Sequence, residues 1–122
     1  MGSLRPGTIN FTGADKILQG TTWVREVNFG QDMSAFIGSL TRTQFKKSDG
    51  TTVVYATADS SVVLTWINSN TTLRFTILPA TSSGKAASTG NFEVEAVSSG
   101  GAVERILTGA WEQDSELCTA ST

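Results

Sequence analysis

Between residues 21 and 111 the chain is cut into short runs of β-branched and aromatic residues, with turn residues recurring about every 8–12 positions. That cadence leaves no amphipathic helix longer than two turns, and no internal repeat is present. It restricts the chain to an all-β architecture. In residues 21–29, Trp23, Val27 and Phe29 share one face with Arg25 between them, the alternation of a strand with one buried face. Residues 36–46 run long, with Leu40 and Phe45 out of strict phase, which predicts a bulge. Ser48-Asp49-Gly50 predicts a hairpin turn, because Asp-Gly supplies the positive φ that such turns need. Residues 52–57 and 62–67 are the next pair of runs, and Asn68-Ser69-Asn70 turns the chain into residues 73–78. Pro79 ends that strand, since it cannot donate to a ladder. Residues 80–88 are small and polar, with room for one helical turn. Residues 92–97 and 103–111 form the last hairpin, across Ser98-Ser99-Gly100-Gly101.

About seven strands at this spacing predict an immunoglobulin-like antiparallel β-sandwich. A chain of 122 residues supports one core, because neither half could bury enough surface alone. The expected layout is an N-terminal segment over residues 1–15, the sandwich over 16–113 and a patternless C-terminal tail over 114–122. In the first segment Ile9 and Phe11 are the only pattern, which reads as an arm or an added edge strand.

Composition narrows the chemistry. Histidine is absent, which removes the commonest general base and transition-metal ligand. Cys118 stands alone, so no internal disulfide forms, and its plain reading is an incidental thiol. The net charge is −2 and the nine Lys and Arg are scattered, so nucleic acid is not an expected partner. No run of eighteen apolar residues exists, and no membrane partner is expected. The N-terminus lacks the apolar stretch of a signal peptide, so folding in cytoplasm is the expectation, and Gly2 lacks the hydroxyl spacing of a myristoylation site.

Glu93 and Glu95 share a strand face and could form a carboxylate pair, but the alternation reads as a solvent face. Asp49 and Asp59 read as turn residues, and no spaced Asp/Asn/Gly loop supports calcium. Arg42, Lys46 and Lys47 read as the solvated end of a strand rather than a phosphate site. With no catalytic set, no metal ligands and no cofactor motif, the chain reads as a non-enzymatic binding domain. Trp23, Trp66 and Trp111 all fall in strands. A sandwich core normally takes one or two such rings, so Trp111, closing the last strand, is the candidate exposed anchor. Ile9, Phe11 and Leu117 in the two terminal segments complete the candidate interface.

One order of motifs goes further. Gln19-Gly20 opens a Trp-containing strand, and Asp32-Met33-Ser34-Ala35-Phe36 leads to a strand ending Lys46-Lys47-Ser48-Asp49-Gly50. The chain closes with Gly90-Asn91-Phe92-Glu93-Val94-Glu95, the Gly100-Gly101 turn and Ile106-Leu107-Thr108-Gly109-Ala110-Trp111. Over residues 17–116 this resembles the immunoglobulin-like β-sandwich module of tailed-bacteriophage structural proteins, found in baseplate and tail-fibre attachment proteins. The resemblance implies a virion protein of the tail or baseplate, whose partners are other virion proteins or copies of itself in a symmetric assembly. A capsid decoration protein and a carbohydrate-binding host-attachment module are the alternatives.

Overall fold

The computed structural model describes residues 7–37 and 40–115. In chain order its strands are β1 (Gly7–Thr8), β2 (Ile17–Leu18), β3 (Trp23–Asn28), β4 (Leu40–Lys47), β5 (Val53–Ala56), β6 (Val63–Ile67), β7 (Thr72–Ile77), β8 (Ser88–Val97) and β9 (Val103–Asp114). One helical turn, α1 (Pro79–Ser82), lies in the small polar stretch. Period-two alternation becomes burial: β8 turns Gly90, Phe92, Val94 and Ala96 inward, while Asn91, Glu93 and Glu95 face out. One sheet runs β1-β9-β8-β4-β5 with β2 also on β9, and the other runs β3-β7-β6. Of the seven longer strands, the first, fourth and fifth make the smaller sheet and the rest belong to the larger one. The chain is an all-β sandwich of two packed sheets.

The N-terminal segment takes the edge-strand form. β1 and β2 run parallel to β9, and the 3₁₀ turn Gly13–Asp15 separates them. Between them Ile9 N–H donates to the Thr108 carbonyl at 3.0 Å, Phe11 N–H to Ala110 at 2.8 Å, and Glu112 N–H back to Phe11 at 3.0 Å. Gly109 permits this approach, since a Cβ there would lie 1.6 Å from the Ile9 carbonyl oxygen.

Three expected strand limits shift by three residues or more, one of them the start of β8, at Ser88 rather than Phe92. β4 begins at Leu40 rather than Phe36, because the Asp32 carboxylate accepts from Ser34 N–H at 2.9 Å and Phe36 N–H closes a turn on the Met33 carbonyl at 2.9 Å. β9 continues to Asp114, three residues past Trp111. The bulge expected in the long run is present, as a register shift between Phe45 and Lys46 against β5.

Phe11 is a core residue, 2% exposed, and not an interface anchor. Its ring meets Trp23 edge-on at 5.0 Å and Phe75 edge-on at 5.1 Å, and stacks on Phe92 at 5.0 Å. The added edge strand therefore supplies the centre of an aromatic core that spans both sheets. Trp111 is likewise no exposed anchor: it is fully buried, because the longer β9 places it mid-strand on the inward face. Its indole N–H donates to the Lys46 carbonyl at 2.8 Å. That carbonyl turns inward over Gly90, where a Cβ would lie only 1.7 Å from it. The bulge and the missing side chain together make the slot that satisfies a buried indole.

A buried polar clasp closes one side of the core. The Tyr55 hydroxyl donates to Gln113 Oε1, and Gln113 Nε2 donates to the Lys85 carbonyl at 2.8 Å. Gln19 Nε2 reaches the same Lys85 carbonyl at 2.7 Å. Burial pushes the Tyr55 phenol up to about 12. Because the folded state holds this proton more tightly than the unfolded chain does, Tyr55 supports the fold fully below about pH 10. That contribution is expected to fade as pH rises from about 10 to 12. Thermal melts across this range, with Tyr55→Phe as the variant that removes the ionisation, check it. Tyr55 is the chain's single tyrosine, so its ultraviolet titration is unambiguous.

Candidate binding face

The outward side chains of the larger sheet line up by register into rows. Leu40, Val97 and Val103 form an apolar row at one end of the face. Next come Arg42, Glu95 and Arg105, then Gln44, Glu93 and Thr108, with Thr8 of β1 beside Thr108. Lys46, Asn91 and Ala110 form the row at the far end. Thr8 and Asn10 flank this face on the β1 side, Thr57 and Ala58 on the β5 side, and they bound an open groove of about 1020 Å³.

Every carboxylate in this groove is already engaged. Glu95 pairs with Arg42 at 2.9 Å, and Glu93 with Arg105 at 2.9 Å. Such half-exposed pairs contribute at most about 1 kcal/mol each to stability, so their effect is to fix the pattern of charge on the face. The pair Glu93 and Glu95 thus lies on the solvent side, each matched by a cation, without the free carboxylates that acid–base chemistry needs.

The loop carboxylates are also occupied by local turns. Asp49 accepts from Thr51 N–H at 2.8 Å, Thr52 N–H at 2.8 Å and the Thr52 hydroxyl at 2.6 Å, and these bonds hold its carboxyl well below the usual range. Hydroxyls of Ser34 and Ser61 lower Asp32 and Asp59 in the same way. Among the described residues no three of His, Cys, Asp and Glu converge as a metal site.

Of the four candidate interface residues, Ile9 is half-buried on the seam between the N-terminal edge and β9, while Phe11 and Trp111 are in the core. Leu117 lies outside the described residues. Trp66 is half-buried: its indole donates to Thr41 Oγ1 at 2.9 Å and its ring leans on Phe29. Trp23 is buried and its indole donates to the Asp15 carbonyl at 3.0 Å. The carbohydrate-binding alternative loses the exposed Trp111 ring on which it relied. The charged rows were not anticipated as a set. Their signal was Glu93 and Glu95 at i, i+2 in one strand, with Arg42 and Arg105 at matching depth in the two beside it. No protein-family model matches the chain, and no curated protein matches its sequence.

Proposed function

We propose that this chain is a structural protein of a tailed-bacteriophage virion, a tail or baseplate component that binds neighbouring virion proteins. The reading starts from the order of motifs in the sequence. The observation that carries it is the groove on the larger sheet, whose rims hold Thr8 and Thr57 and whose charges are paired in register. Such a face favours a partner with a matching polar pattern and disfavours others, because misplaced charges cost more than correct ones contribute.

Mass spectrometry of purified particles tests the reading. The chain is expected in the particle at the low copy number set by tail symmetry, and its absence from particles overturns the proposal. Arg42→Glu sets a third carboxylate beside Glu93 and Glu95. That variant is expected to fold normally, because Arg42 is exposed, and to be depleted from the particles.

A further inference from the structure

Six of the seven longer strands bury at least one side chain, and β6 buries none. Yet its sequence, Val63-Leu64-Thr65-Trp66-Ile67, is uncharged, and four of its five residues are β-branched or aromatic types that favour packed sheet. It ends the three-stranded sheet, and among the described residues only β7 pairs with it. Unpaired edges invite strand addition, and proteins blunt them with charge, proline, bulges or short length.

The other edges carry such devices. On β3, Arg25 donates to the Val24 carbonyl at 2.8 Å and pairs with Asp15 at 3.2 Å. β1 and β2 have two residues each. β5 has four, with a register shift against β4. β6 has no charge, no proline and no register shift against β7, and Val63 is 45% exposed.

The strand also matches itself. Antiparallel pairing about Thr65 sets Val63 against Ile67 of a second copy, Leu64 against Trp66, and Thr65 against Thr65. No like charges meet. The closest acid in sequence, Asp59, precedes the Val63 end, and the antiparallel order directs it toward the uncharged 68–70 turn of the other copy. We infer that β6 is a self-association edge, through which two copies of this chain pair antiparallel about a two-fold axis at Thr65 and join their three-stranded sheets into one. This deepens the proposed function by naming the edge and the partner for symmetric assembly, and it rests on that reading only for its setting. Five residue pairs bury well under the roughly 1,200 Å² of a stable complex, so the association is weak and reversible in solution and favoured at the local concentrations of an assembly.

Sedimentation of the purified full chain under reducing conditions, over a wide concentration range, tests this. The wild type is expected to pass from monomer to dimer. Thr65→Lys places like charges face to face on the axis and is expected to weaken association about tenfold or more, as is Thr65→Glu. An equimolar mixture of the two variants is expected to restore dimerisation, and added salt to weaken that restoration. Thr65 is exposed, so both variants should fold, the lysine variant slightly the less stable because Arg74 of β7 lies opposite it, and the glutamate variant, which lacks that repulsion, separates lost association from lost stability. A wild type that stays monomeric to millimolar concentration, or variants that associate as it does, overturns the inference. Either result leaves the particle analysis standing, so the two readings fail separately.

Discussion

Phe11→Ala is expected to lower the free energy of unfolding by about 3–5 kcal/mol, the loss seen for a large aromatic at the centre of a core. The ring contacts Trp23 and Phe75 from one sheet and Phe92 from the other, each at 5.0–5.1 Å. Neighbours anchored in two hydrogen-bonded sheets cannot collapse into the space, so the variant forfeits transfer free energy and retains a cavity. Domains of this size are stable by only about 5–15 kcal/mol, so the loss is a large share of the whole. Denaturant titration reads it as a lower midpoint at unchanged slope. Thr12→Ala, one residue on and exposed, is the control, expected within about 0.5 kcal/mol of wild type. Equal midpoints for the two variants would mean that the N-terminal strand does not seat its aromatic ring.

Gly90→Ala is expected to destabilise by about 3 kcal/mol or more, from overpacking together with a stranded buried donor. The added Cβ would meet the Lys46 carbonyl oxygen at 1.7 Å and carbon at 2.7 Å. Both are backbone atoms of β4, so relief requires moving a strand paired on both sides. Moving it withdraws the acceptor from the Trp111 indole, which is fully buried and has no water to turn to. Gly84→Ala is the matched control: its nearest neighbour would be 3.9 Å away, and the substitution should be neutral or slightly stabilising. Tryptophan fluorescence with the melting temperature separates a local shift at Trp111 from global loss of the sandwich. A Gly90→Ala protein as stable as wild type would show that the slot is not required.

Much of the architecture was legible because a strand's burial follows from its own alternation. Leu73, Phe75 and Ile77 against Arg74 and Thr76 marked β7 within a residue of its limits, and Asp49-Gly50 marked its turn with Gly50 at φ +78°. Residues whose role depends on a distant neighbour were less legible. Phe11 sits among Asn10 and Thr12, and nothing nearby shows that its backbone will lie parallel to β9, a hundred positions later. Trp111 looked like the end of a strand because Glu112, Gln113 and Asp114 are polar. Yet Gln113 is buried in the clasp with Tyr55, while Asp114 pairs with Lys16 at 2.5 Å.

By itself the sequence determined the all-β class, the positions of seven strands and the lack of histidine or a paired cysteine, since each depends only on residue type and local period. Tertiary structure alone decided which aromatics are core, which carboxylates are paired and which sheet edge stays open. Those outcomes belong to pairs of residues far apart in the chain, and a period of two says which face a residue takes, never which strand it will face.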